Sequence, residues 1–220
     1  MIILYGFSKV AEPAIGHTRD LRAQWALEET GLSYRVQGLD FCAGELDTEA
    51  YGKLSPFRQI PAIVDGDVVV AESAAVLLYL AEKAGKLIPD DLAGRTAVTQ
   101  WCFAAMNTVE PTTLMIAQLD VNGAKDAASV KRREGLVKQA DRWFTGLERR
   151  LDGRSYLATS EFTVADLLMA HVLRETRKSK LLGNYPTVAS YVARCEDRPA
   201  WKRTCAAYEQ RLGMAPGSMS

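Results

Sequence analysis

QIPAIVDGDVVVAESAAVLLYLAEK, residues 59–83, is the stretch that decides the fold of this 220-residue chain. A short apolar run, an Asp65-Gly66 turn and a β-branched run at residues 68–70 predict a tight hairpin. Glu72-Ser73 comes next, at the mouth of a predicted amphipathic helix. Its apolar face carries Val76, Leu77, Leu80 and Ala84.

Polar groups at both ends of this hairpin indicate a ligand site. An X-Pro bond beside a strand start can be cis, which would turn the N–H and C=O of Ile60 toward a neighbouring extended chain. The carboxylate of Glu72 suits an α-amino group, and the hydroxyl of Ser73 with a helix start suits an α-carboxylate. The stretch therefore predicts a receptor for a small zwitterionic peptide. For either dipeptide alone, an ordinary turn or helix cap is the alternative interpretation.

The wider stretch SPFRQIPAIVDGDVVVAESAAVLLYLAEK, residues 55–83, resembles the glutathione-binding half of the cytosolic glutathione transferases. The pattern is closest to the theta, phi, zeta and related bacterial classes that use serine or threonine. The resemblance implies that the backbone of Ile60 pairs with the cysteinyl part of glutathione. Glu72 and Ser73 would then hold its γ-glutamyl end, and Gln59 would lie beside its glycyl end. Glutathione is the expected co-substrate, with no metal.

Composition excludes several other classes of function. Lys and Arg together number 27, as do Asp and Glu, so the chain has no basic footprint for nucleic acid. No apolar run approaches the roughly 20 residues of a membrane helix, and MIILYGFS lacks the features of a signal peptide. Four cysteines without a CxxC pair, and only two histidines, predict no metal site. A reduced cytoplasmic protein is expected.

The pattern along the chain predicts two domains. Residues 1–84 follow a βαβ-then-ββα order, with a helix from about residue 19 that ends at Gly31. Such a series makes a small mixed sheet with helices on its faces, and it resembles the thioredoxin fold. Residues 85–92 have the composition of a linker. Only helical periodicity follows, so residues 93–220 are predicted to form an all-helical domain.

Two features stand out in the helical part. Pro111 is expected to break or bend the first long helix. In FTVADLLMAHVL, residues 162–173, Thr163 as N-cap and Asp166 at the third helical position predict a capping box. Phe162 and Leu167 occupy the positions of a hydrophobic staple. Asp166 is therefore predicted to serve folding rather than catalysis.

The residue that activates the thiol is less sharply defined. A thiol is mostly protonated at pH 7, whereas the thiolate is the nucleophile. The resemblance implies a hydroxyl donor near the start of the first helix, but the segment that begins at Ser8 is longer before this helix than the usual family loop, with an insertion around residues 10–16. Thr18 is the first choice, with a plain helix N-cap as its other interpretation. His17, Tyr5 and Ser8 stay open as alternatives.

The rest of the site is predicted in outline. Related patterns often carry His or Lys for the glycyl carboxylate where this chain has Leu46, so Lys53, Arg58 or Gln59 would take that role. A hydrophobic electrophile is expected between the domains, where ligand clefts commonly form. The apolar residues predicted for that pocket are Phe7, Trp101 and Met106.

The predicted function is therefore a glutathione transferase that activates the glutathione thiolate for attack on a hydrophobic electrophile. Isomerase and peroxidase activities belong to the same expectation. The alternative is a transferase-like binding or interaction protein that has lost the chemistry, because a fold alone does not establish a function. The resemblance further implies a two-fold homodimer, with neither nucleic acid nor membrane as partner.

Overall fold

The computed structural model describes residues 1–123 and 126–219. It contains two compact units. The first consists of Met1–Ile88 together with the chain from Asp197 onward, and the second is Pro89–Glu196.

The first unit contains a four-stranded sheet. Its strands are β1 (Ile2–Lys9), β2 (Tyr34–Asp40), β3 (Ala62–Asp65) and β4 (Val68–Ala71). Their order is β2-β1-β3-β4, with β1 and β2 parallel and with β3 antiparallel to both of its neighbours. Ile2 and Leu4 are buried on one side of β1, as its alternating pattern requires. This is the predicted thioredoxin-like sheet.

Three helices accompany this sheet: α1 (Asp20–Thr30), α2 (Glu49–Leu54) and α3 (Ser73–Ala84). Gly31 ends α1 in the left-handed conformation, with φ 75°, and its N–H donates to the carbonyl of Leu27. The sequence analysis did not predict α2, which is only six residues long. Its start is nevertheless capped locally, because the Thr48 hydroxyl accepts the N–H of Tyr51 at 3.3 Å.

The second unit is helical. Its helices are α4 (Leu92–Phe103), α5 (Glu110–Asn122), α6 (Ala127–Leu151), α7 (Val164–Arg174) and α8 (Pro186–Glu196). A π-helical segment, Ala104–Val109, separates α4 from α5, so the helical hydrogen-bond pattern changes just before Pro111. Pro111 itself lies in the first turn of α5, where its missing N–H costs little.

The buried helix α7 is the centre of the second unit. Every residue of α7 is buried, and its start carries the predicted capping box of Thr163 and Asp166. The N–H and the hydroxyl of Thr163 both donate to Oδ2 of Asp166 at 2.9 Å. The described helices of the chain include no segment long and apolar enough to cross a membrane.

The last helix, α9 (Pro199–Leu212), belongs to the first unit. The rings of Trp201 and Trp25 of α1 lie 4.6 Å apart, and the Arg198 guanidinium pairs with both carboxylate oxygens of Glu29 at 2.6 and 2.8 Å. The sequence pattern assigned this helix to a domain of residues 93–220. The grouping differs because aromatic stacking and ion pairs join α9 to α1.

Candidate functional site

The start of α3 has an unusual backbone conformation. Glu72, its N-cap residue, has φ 70° and ψ 118°, a region that residues other than glycine rarely adopt. Such strained positions cluster at binding and catalytic sites. Glu72 is exposed, and its side chain makes no capping hydrogen bond to the first turn of α3. The helix start therefore offers backbone N–H donors beside a solvent-exposed carboxylate.

Ser73, the first residue of α3, is buried and has a basic neighbour. The Arg22 guanidinium of α1 donates to the Ser73 hydroxyl oxygen at 3.2 Å. Arg22 is itself only 1% exposed, although arginine is seldom buried without a specific partner. The contact adds a positive charge next to the helix start, where the dipole of α3 already favours an anion.

The segment before β3 is held by two hydroxyl groups. The Ile60-Pro61 peptide bond is cis. The Gln59 carbonyl accepts from the hydroxyl of Tyr51 at 2.8 Å and from that of Ser55 at 3.0 Å, and the Gln59 N–H donates to the Ser55 oxygen at 3.0 Å. Burial raises the pKa of Tyr51, so its hydroxyl remains a proton donor near neutral pH.

The backbone N–H and C=O of Ile60 take no part in these contacts of Gln59. Within residues 1–123 and 126–219, no backbone–backbone hydrogen bond outside the regular helices and strands uses its N–H or C=O. A neighbouring extended chain could therefore pair with these groups.

The strand register brings the two halves of the predicted receptor together. Ala62 at the start of β3 pairs with Ala71 at the end of β4. Pro61 directly precedes Ala62, and Glu72 directly follows Ala71, so the two lie opposite each other across the ladder. Opposite residues of an antiparallel pair lie about 4.5–5.5 Å apart at their Cα atoms. The proline, the carboxylate and the start of α3 thus form one continuous edge.

Thr18 lies in the connection between β1 and α1. It is only 7% exposed, and its hydroxyl donates to the hydroxyl of Tyr208 in α9 at 2.9 Å. The N-cap residue of α1 is Arg19, whose side chain makes no capping hydrogen bond. The interpretation of Thr18 as a helix N-cap stays open, because its carbonyl accepts the N–H of Leu21 at 3.3 Å. Its assignment as the thiol activator stays a prediction.

The three alternative activators lie close by in the chain. Ser8 is exposed near the end of β1, beside Gly38 of β2, where an added Cβ would lie 2.8 Å from that of Ser8. His17 is half-buried in the connection to α1. Tyr5 is half-buried within β1, and its ring centre is 5.7 Å from that of Tyr51. Each of them stays an open alternative.

The residues considered for the glycyl carboxylate lie on and around α2. Leu46 is buried, consistent with a packing role. Lys53 pairs with Glu49 at 3.0 Å, and Arg58 lies 3.6 Å from Asp47, all with exposed side chains. Exposed pairs of this kind are weak, so both cations can exchange their partners for a ligand.

The predicted apolar residues lie in different units. Phe7 is half-buried against the core group that includes Ile60, and its ring meets Phe41 edge-on at 6.2 Å. Trp101 lies in α4 of the second unit, with the Arg150 guanidinium 5.5 Å from its ring centre. Met106 is half-buried in the π-helical segment. Their joint role in an electrophile pocket stays a prediction.

Sequence reasoning missed several residues that shape this edge. Tyr51 and Ser55 hold Gln59, and Arg22 contacts Ser73. A short helix cap at Thr48 was the one local signal for α2, and it would have placed Tyr51 on a helix. The described residues contain no group of three or more His, Cys, Asp or Glu that could hold a metal ion.

Comparison with known proteins identifies the family. The model of the glutathione S-transferase N-terminal domain matches residues 13–82, and that of the glutathione S-transferase C-terminal domain matches residues 114–203. The chain belongs to the glutathione S-transferase family. The predicted family and fold are thereby confirmed.

Three relatives illustrate the match. Glutathione S-transferase F9 of Arabidopsis thaliana is 31% identical over 85% of this chain and 92% of its own length. The disulfide-bond oxidoreductase YfcG of Escherichia coli is 31% identical over 79% of this chain and 84% of its own. A Burkholderia graminis glutathione transferase, solved with two glutathione molecules per subunit, superposes with a TM-score of 0.82 at 28% identity, covering 94% and 88% of the two chains.

Proposed function

We propose that this glutathione S-transferase binds glutathione along the edge formed by Ile60-Pro61, Glu72 and the first turn of α3. It activates the thiolate there for attack on a hydrophobic electrophile. The observation that carries the proposal is the Ala62–Ala71 register, which places Glu72, with its positive φ, opposite the cis-proline. The glutathione bound to related transferases supports it.

Each group along this edge suits one part of the tripeptide. The carboxylate of Glu72 pairs with the α-ammonium of the γ-glutamyl residue, and the hydroxyl of Ser73 with the N–H groups of α3 binds its α-carboxylate. The backbone of Ile60 pairs with the cysteinyl residue, as one extended chain pairs with another. The side chain of Gln59 lies on the glycyl side.

The chemistry requires a donor for the thiolate and a place for the electrophile. We assign the donor to Thr18 and the apolar surface to Phe7, Trp101 and Met106. A second activity, reduction of a disulfide by two glutathione thiols with release of glutathione disulfide, is favoured by the relative named disulfide-bond oxidoreductase. Parallel assays with an aryl halide and with a small disulfide distinguish the two activities. Turnover of neither, with glutathione still bound, would indicate a binding protein without chemistry.

Removing the Glu72 carboxylate should weaken glutathione binding. Glu72→Ala leaves the ammonium group of the γ-glutamyl residue without its charged partner, which costs roughly 2 kcal/mol, or about 30-fold in Kd. The measurement is isothermal titration calorimetry with glutathione. Asp67→Ala is the matched control, because it removes an exposed carboxylate from the same hairpin. Equal affinities for wild type and Glu72→Ala would exclude the assignment.

We also propose that the protein is a homodimer. Large apolar side chains are exposed in both units, and the proposal is that a subunit interface covers some of them. Examples are Phe57 at 77%, Leu92 at 80% and Phe103 at 60% exposure. Light scattering at micromolar concentration should give about twice the 24.2 kDa mass of one chain. A mass of one chain would contradict the proposal.

A cytoplasmic location is proposed on the basis of the cysteines. Cys42 is exposed, Cys102, Cys195 and Cys205 are buried, and these four cysteines are not joined in disulfides. Free thiols are typical of a reducing compartment. Cell fractionation that recovers the protein with a cytoplasmic marker would support this location, whereas recovery with extracytoplasmic markers would contradict it.

A further inference from the structure

Arg211, in the last turn of α9, makes three contacts with the first part of the chain. Its Nε donates to the carbonyl of Phe7 at 2.8 Å, its Nη1 to the side-chain oxygen of Gln24 at 2.8 Å, and its Nη2 to Oδ2 of Asp20 at 2.7 Å. The same Asp20 oxygen accepts the N–H of Phe7 at 3.1 Å. Both backbone polar groups of Phe7, at the end of β1, are therefore fixed.

Tyr208 lies one turn earlier on α9 and contacts the other end of the same connection. Its hydroxyl oxygen accepts from the hydroxyl of Thr18 at 2.9 Å and from the N–H of Gly16 at 3.5 Å. The Tyr208 ring is completely buried, with the Arg211 guanidinium 5.2 Å from its centre. One turn of α9 thus holds both ends of residues 8–19, which carry three of the four possible thiol activators.

The contacts of Asp20 and Arg211 fix the backbone conformation around them more than they add stability. Asp20 is fully buried and the Arg211 side chain is 12% exposed, and a buried ion pair adds little net stability over well-packed apolar side chains. A Cβ on Gly6 would lie 2.8 Å from the Asp20 carboxylate, so the close approach of that carboxylate to β1 requires glycine at this position. Charged contacts with this many partners fix a single conformation of the backbone they contact.

We propose that Tyr208 and Arg211 are positioning residues for glutathione activation. They hold residues 8–19 so that the thiol-activating hydroxyl meets the sulfur of bound glutathione, Tyr208 through Thr18 and Arg211 through Phe7 and Asp20. This inference rests on the proposed function, because it assigns a geometry to that reaction. Neither residue contacts the reacting atoms in this account.

Tyr208→Phe tests the proposal with little change in shape. The variant keeps the ring but removes the oxygen that accepts from Thr18. We expect kcat with an aryl halide to fall about 10- to 100-fold, because small misplacements of a catalytic group have effects of this size. The KM for glutathione should stay within about twofold of wild type, and the pKa of the bound thiol, followed by thiolate absorbance, should rise. A residue that only stabilised the fold would not lower kcat and raise the thiol pKa while leaving the KM for glutathione unchanged.

Two further variants test the contacts of Arg211: Arg211→Lys changes that side chain, and Arg203→Gln is the control. Arg211→Lys keeps a charge but loses the planar fork, so it should show the same combination of kinetic and pKa changes. Arg203, on the same helix, contacts α1 instead, through the carboxylate of Glu28 at 2.7 Å and its carbonyl at 2.9 Å, so Arg203→Gln should behave like wild type. If Tyr208 acts through Thr18, the double variant Thr18→Val/Tyr208→Phe should be no slower than Thr18→Val alone.

Amide hydrogen exchange supplies a readout that does not depend on activity. Tyr208→Phe and Arg211→Lys should increase exchange in residues 8–19, and Arg203→Gln should not. If both variants keep the wild-type kcat and thiol pKa while wild type binds glutathione, the inference is overturned and the proposed function stands. If wild type binds no glutathione, both are overturned. If Tyr208→Phe or Arg211→Lys no longer shows a thermal unfolding transition, the other of these two variants is compared with wild type.

Discussion

Thr18→Val should lower turnover about 10- to 1,000-fold while glutathione affinity stays close to that of wild type. Valine keeps the branched shape of threonine but has no hydroxyl to donate to the thiolate. Thr18 lies just before α1, so the dipole of that helix adds to the effect of the hydroxyl. The measurement combines the pH dependence of thiolate absorbance for bound glutathione with rates for a generic aryl halide.

The neighbouring residues provide the comparison for Thr18. Ser8→Ala, Tyr5→Phe and His17→Asn remove the other polar groups considered for this role. In the structure the Thr18 proton is donated to Tyr208, so donation to a thiolate requires this hydrogen bond to reverse, with the Tyr208 hydroxyl donating to the Thr18 oxygen. If Thr18→Val retains both the wild-type thiol pKa and the wild-type rate, the role passes to whichever of Ser8, Tyr5 or His17 shows the loss.

Asp166→Ala should strongly destabilise the helical unit. Oδ1 of Asp166 accepts the N–H of Leu157 at 2.8 Å and lies 3.2 Å from the hydroxyl of Tyr191, and its Oδ2 accepts from Thr163. The residue is fully buried, so alanine leaves these donors without partners away from water. Several unsatisfied groups at roughly 1–3 kcal/mol each predict a loss of about 3 kcal/mol or more in the free energy of unfolding.

Asp126→Ala is the control that distinguishes the buried hydrogen bonds of Asp166 from ordinary helix capping. Asp126 caps α6 in the same unit by accepting the N–H of Ser129 at 2.9 Å, but it is exposed. Asp126→Ala should therefore cost only about 1 kcal/mol. Urea unfolding of both variants by circular dichroism gives the two values. If they were equal, the buried partners of Asp166 would contribute nothing beyond a cap.

Local patterns explain what could be predicted from the sequence. The hairpin follows from Asp65-Gly66 between β-branched runs, and the capping box from Thr163 and Asp166, three residues apart. Each of these signals acts over a few residues, so no knowledge of distant contacts is needed. The structure bears out both features, together with the cis bond at Ile60-Pro61.

Long-range contacts explain what could not be predicted. Arg211 lies 204 residues from Phe7 along the chain, and no periodicity indicates that a helix so near the C-terminus joins the sheet-containing unit. The helical pattern of α9 was correct, but its packing partner depends on Trp201 meeting Trp25. Likewise, Arg22 is an ordinary helical arginine in sequence and becomes part of the site only when α1 packs beside Ser73.

Residues 8–19, which carry the proposed thiol activator, were predicted only in part, because both local patterns and long-range contacts bear on them. Residues 8–19 contain no regular helix or strand signal that fixes which hydroxyl approaches the ligand. Tyr208 of α9 contacts Gly16 and Thr18 in this segment and Arg211 contacts Phe7 just before it, and the sequence does not reveal these contacts. For this reason the sequence predicts one role for each residue of the proposed glutathione-binding edge, whereas the predicted thiol activator is one of Thr18, Ser8, Tyr5 or His17.

A crystal structure of the protein soaked with glutathione tests the central claim most directly. We expect the γ-glutamyl ammonium within hydrogen-bond distance of the Glu72 carboxylate, and the α-carboxylate of the same residue at Ser73 and the first N–H groups of α3. The cysteinyl backbone should pair with the N–H and C=O of Ile60. Glutathione bound elsewhere, with this edge empty at saturating ligand, would contradict the account.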